Sequence, residues 1–300
     1  LIFLFVYVLV IEYPSDNTTA VLLDSTDNNI HYLSWGCGDQ TSRPFAGFDV
    51  KKKILTIGTF KCNKTTPFII WITEDGYIHW GQVKNNKIKC SDMMITNITS
   101  LSLFSPSLHV PDNYAVNIEI DSNVEMAFIS YVDSSMIEVY RIKNCGQCNA
   151  LSLKKISSFA TNTLDDIVLD RIFQILFWYS QQTGEICMRH YTHYRKLYDS
   201  VCTTTPDQIK PTWLVLNPDE HRLTFSAING SLYDLSYYRN KFTLSKPSLI
   251  SNGYNLNRLY YDVTYYFSYK CHSRSITSYW ESSSLIKSDE CLKDLVFLNE

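Results

Sequence analysis

The chain has no excess of either charge: 27 Lys and Arg stand against 30 Asp and Glu, a formal net charge of -3 at pH 7. A phosphate backbone is gripped by a cationic field that this balance does not supply, so no nucleic-acid partner is expected. Long apolar runs are also missing. Only residues 1 to 10, Leu-Ile-Phe-Leu-Phe-Val-Tyr-Val-Leu-Val, are continuously apolar, about the length of a signal-peptide core and too short to span a bilayer. They read either as the remnant of a signal peptide over residues 1 to 13 or as a buried strand able to close a sheet. Any membrane attachment would come from regions outside this chain. Catalytic motifs are absent too: there is no Gly-x-Ser-x-Gly elbow, no Walker loop, no His-Glu-x-x-His and no kinase signature. Nucleophilic, phosphoryl-transfer and zinc-protease chemistry therefore leave no linear trace, although groups assembled from distant loops would leave none either.

What is present is aromatic and strand-forming. The composition is 45% hydrophobic and 14% aromatic, with 21 Tyr and only 19% charged residues, which places the chain among globular proteins and favours β-strands. The stretch from Asp166 to Ile186 shows the grammar. An apolar run ends on Asp170, a polar gap follows, then the aromatic run Phe177-Trp178-Tyr179-Ser180, a turn at Gly184, and a closing Ile186. None of these pieces has the length or the 3.6-residue rhythm of a helix.

The same grammar recurs. Ile118-Glu-Ile-Asp121 leads to Phe128 seven residues after the Asp and to Ile137 sixteen after it, the spacings of Asp170, Phe177 and Ile186. Further copies run from Leu214 to Asn217 with Phe225, and from Leu259 to Asp262 with Phe267 and Ile276. The anchors Asp121, Asp170, Asn217 and Asp262 advance by 49, 47 and 45 residues. Upstream, Phe68 to Ile78 with Trp71 supplies an aromatic run and a Gly turn, with Asp49 as a candidate anchor, and Val21 to Asp24 with Ile30 to Trp35 supplies a first unit. A period near 45 residues marks propellers and arrays. Six units, starting near 21, 46, 115, 166, 213 and 258, are expected to form one all-β domain over residues 14–300. The expected architecture is a six-bladed β-propeller of four-stranded antiparallel sheets. Radial stacking buries both faces of such sheets and leaves short edges. The tail, Asp294 to Asn299, reads as an opening strand that either closes the ring or begins a further, truncated unit.

Nine cysteines point to an oxidising compartment. Neighbour spacing allows Cys62 with Cys90, Cys187 with Cys202 and Cys271 with Cys291, among other connectivities. Cys145 and Cys148 form a Cys-x-x-Cys that reads as a loop with local or long-range disulfides rather than a redox dithiol or half of a zinc site. Asn17, Asn63, Asn97 and Asn229 are N-glycosylation sequons. Arg189, His190, His193 and Arg195 form a basic cluster, read as a solvent-facing strand and turn rather than a metal or anion site. The recurring acidic anchors could hold a calcium ion in a channel, but their place at a strand end in every unit favours a repeated bond to backbone amides.

The run from Asp170 to Ile186 resembles the YWTD repeat of the low-density-lipoprotein-receptor class, in which an apolar strand ending in Asp precedes a Tyr-Trp-Thr-Asp core and a closing Ile. Phe177-Trp178-Tyr179-Ser180 occupies the core, and Ile70-Trp71-Ile72-Thr73 and Thr224-Phe225-Ser226-Ala227 are further copies; none keeps the final Asp. Family propellers have six blades and occur in lipoprotein receptors, nidogens and the ectodomains of sevenless or ROS-type receptor tyrosine kinases. The resemblance implies an extracellular, non-enzymatic, protein-binding domain without cofactor or metal, in which Asp121, Asp170, Asn217, Asp262, Trp71, Trp178 and Phe225 join sheets. The alternative is a calcium-dependent propeller hydrolase using the channel carboxylates.

Overall fold

A computed structural model of the chain describes residues 19–24, 29–34, 43–45, 51–62, 66–85, 93–102, 116–131, 135–143, 152–162, 164–191, 200–206, 209–218, 220–238, 241, 243–251, 258–262, 265–270, 275–278, 284–287 and 292–297. The apolar run at residues 1–10 lies outside them. Strands and turns make up almost everything described, and the strands form antiparallel sheets in chain order.

The first sheet contains β1 (Thr19–Asp24), β2 (Ile30–Ser34) and β3 (Arg43–Pro44); the second β4 (Ile54–Cys62), β5 (Thr66–Thr73), β6 (Tyr77–Asn85) and β7 (Met93–Ser102). The third holds β8 (Val116–Asp121), β9 (Met126–Tyr131), β10 (Met136–Lys143) and β11 (Ser152–Ala160). β12 (Asp166–Asp170), β13 (Ile175–Ser180), β14 (Glu185–His190) and β15 (Val201–Thr204) form the fourth. β16 (Pro211–Asn217), β17 (Arg222–Ala227), β18 (Leu232–Tyr238), β19 (Thr243–Leu244) and β20 (Ser248–Ser251) form the fifth, in which β20 also pairs with β18. That sheet therefore has five strands where four were expected. β21 (Arg258–Asp262), β22 (Tyr265–Lys270), β23 (Ser275–Ser278) and β24 (Ser284–Lys287) complete the sixth.

The last strand, β25 (Leu292–Phe297), returns to the first sheet and pairs antiparallel with β1, Val21 opposite Val296. The N-terminal unit thus begins not at Val21 but with a strand from the other end of the chain, and β1 is the second strand of its sheet. Strands shared between distant parts of a chain tie a ring of sheets together. Opening strands pack side by side in sequence: β25 on β4, β4 on β8, β8 on β12, β12 on β16, and β16 on β21.

The burial pattern follows from that stacking. β9 and β13 are buried at every residue, because both faces of each meet a neighbouring sheet. Successive side chains point to opposite faces, so Phe177 packs toward the fifth sheet with Leu214, Leu223 and Tyr237, while Trp178 packs toward the third with Phe128, Ile137 and Val139. Trp71 fills the layer between the first and second sheets. Gly58 on β4 marks a close approach of the second and third sheets, since a Cβ there would lie 3.2 Å from both Ile118 Cγ2 and Ile70 Cγ2.

Candidate functional site

The anchors stand at the ends of their opening strands and are buried: Asp121, Asp170 and Asn217 terminate β8, β12 and β16. Each holds the turn that follows. Asp121 Oδ1 accepts the N–H of Asn123 at 2.9 Å, Asp170 Oδ1 accepts those of Ile172 and Phe173 at 2.9 Å each, and Asn217 Oδ1 accepts that of Glu220 at 3.1 Å. The fourth residue after each anchor, Glu125, Gln174 or His221, adopts a positive φ of 55°, 58° or 53°. Its carbonyl receives the N–H of Ile142 or Tyr237 on the third strand, or of Tyr191 just after it, at 2.8, 3.0 and 3.1 Å.

The second carboxylate oxygen reaches into the next sheet. Tyr191 donates its hydroxyl to Asp121 Oδ2 at 2.6 Å, and Tyr237 donates to Asp170 Oδ2 at 2.5 Å. Burial pushes the Tyr191 hydroxyl well above the usual phenol range, reinforced by the Asp121 hydrogen bond, so it stays a donor. Both oxygens of both carboxylates are thus occupied by donors of the chain itself. Among the described residues no group of three or more His, Cys, Asp or Glu is placed to share a metal ion. Asp262 ends β21, and its side chain lies outside the description.

The other sequence candidates are scattered. Trp71, Trp178 and Phe225 are buried between sheets. Cys187 and Cys202 oppose one another on β14 and β15 and form a disulfide; Cys62 is also disulfide-bonded. Cys37, Cys90, Cys145, Cys148, Cys271 and Cys291 lie outside the described residues, as do Asn17, Asn63, Asp49, His193 and Arg195. Asn97 lies on β7, with its side chain outside the description. Asn229 is exposed in the turn after β17, where its Oδ1 accepts the N–H of Ser231 at 3.0 Å.

A cleft of about 100 Å³ opens between the end of β11 and the facing side of the fourth sheet. Its floor is built from cross-strand rungs: Ser180 opposite Glu185, then Trp178 opposite Cys187 and Cys202. Arg189, two residues beyond Cys187 on the same face of β14, lays its guanidinium over the Phe159 ring, 4.4 Å from the centroid. Phe159 in turn lies 6.0 Å from Trp178. Arg189 therefore faces a cleft wall rather than open solvent, in a cation–π arrangement. The sequence named Arg189 but not Phe159, which is adjacent only once the third sheet packs on the fourth.

The ring of stacked sheets is a β-propeller. Solved structures similar to the chain share this fold. One, described as a nidogen/laminin complex, matches with a TM-score of 0.54 at 12% identity, covering 93% of this chain and 92% of that one. A second, a protein of Bacteroides fragilis provisionally assigned as a 6-phosphogluconolactonase, matches with a TM-score of 0.61 at 11% identity, over 95% of this chain and 99% of that one. A third, a Bacteroides uniformis protein of the same provisional assignment, matches at 0.60 and 7% identity over 94% and 99% of the two chains. No known sequence family matches the chain, and no curated protein does. At such identities the likeness is one of fold.

Two further half-buried titratable groups bond within the propeller. Glu138 Oε2 accepts the hydroxyls of Tyr131 and Tyr140 at 3.1 and 2.6 Å, and its Oε1 pairs with Lys155. Burial opposes the Glu138 charge, but the bonds from Lys155 and the two tyrosines outweigh it, so the carboxyl titrates below its ordinary range. His79 stacks on Trp71 at 5.5 Å and meets Thr73 Oγ1 at 3.1 Å. Burial lowers its pKa despite the nearby Asp75.

Proposed function

We propose that the chain is a protein-recognition propeller of the extracellular space, secreted or carried on a cell surface, and not an enzyme in this segment. The observation that supports it most is the use of the repeat's acidic anchors. Asp121 and Asp170 spend both carboxylate oxygens on turn amides and on tyrosines of the next sheet, so the repeated polar groups hold the fold and recognition falls to the surface. On this reading residues 14–300 form one domain of six blades with degenerate YWTD-type repeats, closed by β25. The Cys187–Cys202 disulfide fits an oxidising compartment, and Asn229, exposed in a turn, would carry a glycan. A structure described as a nidogen/laminin complex shares the fold, which supports a role in a protein complex.

Display of the secreted chain against a panel of extracellular proteins tests the reading. A saturable partner whose binding persists in EDTA supports it; a blank panel contradicts it. Loss of mass on enzymatic deglycosylation, smaller in Asn229→Gln than in wild type, would support the compartment.

The second reading is a hydrolase, favoured by the two bacterial neighbours assigned as lactonases, whose TM-scores of 0.61 and 0.60 exceed 0.54. It requires turnover of a lactone or ester that Asp170→Asn abolishes. Absence of turnover by the folded wild-type chain in calcium removes it.

A further inference from the structure

β11 is the outer strand of the third sheet and nine residues long, with a bulge at Ile156 between the runs Ser152–Lys155 and Ser157–Ala160. Among the other outer strands, β3, β15 and β24 have two, four and four residues, and β7 has ten. Lys154 through Ser158 are all exposed, so this central stretch is open on both faces among the described residues, while Leu153 and Phe159 on either side pack inward. An outer strand presents a row of backbone donors and acceptors that can template another strand.

On the face of β10 and β11 toward the fourth sheet the charged residues are all basic. Residues 139–164 contain four Lys and Arg and no Asp or Glu, in a chain of net charge -3. Arg141 stands opposite Lys154, and Lys143 opposite Ser152. Opposed residues share a face, so Arg141, Lys143 and Lys154 lie on the side where Ile137 and Val139 pack toward the fourth sheet. All three are exposed. Lys155 is on the other face and is committed to Glu138. Across the gap, the charged lining of the fourth sheet is Arg189 above Phe159, with Glu185 four residues away on β14 and held by the Thr183 hydroxyl at 3.1 Å. Lysines on an edge also discourage indiscriminate pairing, which narrows the occupant to a strand of opposite charge.

We propose that the outer edge of β11 binds an extended acidic segment of a partner protein as an added strand of the third sheet. The partner's carboxylates meet Lys143 and Lys154, and one of its side chains enters the cleft beside Arg189 and Phe159. This site deepens the protein-recognition reading and rests on it. Backbone pairing supplies register, and the cations choose the partner.

The probe is a fluorescein-labelled nonapeptide of alternating Thr and Glu, titrated against the full chain by fluorescence anisotropy. Two variants carry N-methyl groups on all Thr or on all Glu residues, because alternate backbone amides of an added strand point at β11 and away from it. The expected result is saturable binding that one methylated peptide loses and the other keeps. The double substitution Lys143→Glu/Lys154→Glu, whose folding is checked by its melting temperature, should weaken it by roughly tenfold or more. No binding at millimolar peptide overturns the proposal. So does binding that both methylated peptides keep, or binding of a heparin oligosaccharide where the peptide shows none, since either result makes the cations a general polyanion surface. A panel partner indifferent to the double substitution would overturn this site while leaving the recognition reading standing. Peptide binding as described with a blank panel would do the reverse.

Discussion

Tyr237 in the fifth sheet donates its hydroxyl to Oδ2 of Asp170 in the fourth, 2.5 Å away and fully buried. One sheet earlier, Tyr191 and Asp121 repeat the link at 2.6 Å. Tyr237→Phe leaves a buried carboxylate oxygen without its donor and should cost about 1–3 kcal/mol. Asp170→Ala strands two backbone amides as well as the hydroxyl and should cost roughly 3 kcal/mol or more. Urea unfolding of the two variants and of the double variant measures the coupling. Additive losses would show that the two groups do not act on each other.

Gly184 closes the β13–β14 turn with φ of 68°, and a Cβ there would lie 2.7 Å from Thr205 Oγ1 and 3.2 Å from the Ile209 carbonyl. Gly184→Ala should therefore destabilise the chain by about 1–3 kcal/mol through backbone strain and crowding together. A melting temperature equal to wild type would show that the turn relaxes freely.

Acid should act on Glu138. Its folded pKa is lowered because Lys155, Tyr140 and Tyr131 outweigh the opposing effect of burial. A carboxyl depressed in the folded state adds stability above its unfolded pKa of roughly 4.3 and loses it as pH falls through the folded value. Unfolding free energies measured between pH 7 and pH 3 should thus fall less steeply in Glu138→Gln than in wild type below about pH 4.5. Parallel curves would remove Glu138 from the acid response.

The Cys187–Cys202 bond clamps the four-residue β15 onto β14 and closes a loop with a sequence separation of 15. Cys187→Ala/Cys202→Ala should cost about 3 kcal/mol, and hydrogen exchange should quicken in 201–204 before the rest of the fourth sheet. Uniform exchange across that sheet would contradict a local clamp.

The anchors could be found from sequence because Asp121, Asp170 and Asn217 recur at near-constant steps before aromatic runs. Their tyrosine partners could not. Tyr191 and Tyr237 lie 70 and 67 residues from their carboxylates, and Ile142 takes the equivalent place one sheet earlier, so the sequence shows no repeating Tyr. The left-handed turn position was equally hidden, since Glu125, Gln174 and His221 hold it without Gly or Asn. β25 was legible as an opening strand, but only the pairing of Val296 with Val21 makes it part of the first sheet, displacing β1 to second place. The cleft went unread because Phe159 and Arg189 are contributed by separate sheets.

The most direct test of the account is the response of wild type and Asp170→Asn to calcium. If the anchors are structural, the melting temperature of wild type is the same in millimolar calcium and in EDTA, and Asp170→Asn lowers it by an equal amount in both. A rise in wild-type melting temperature with calcium that Asp170→Asn abolishes would place a metal at the anchors and contradict the account.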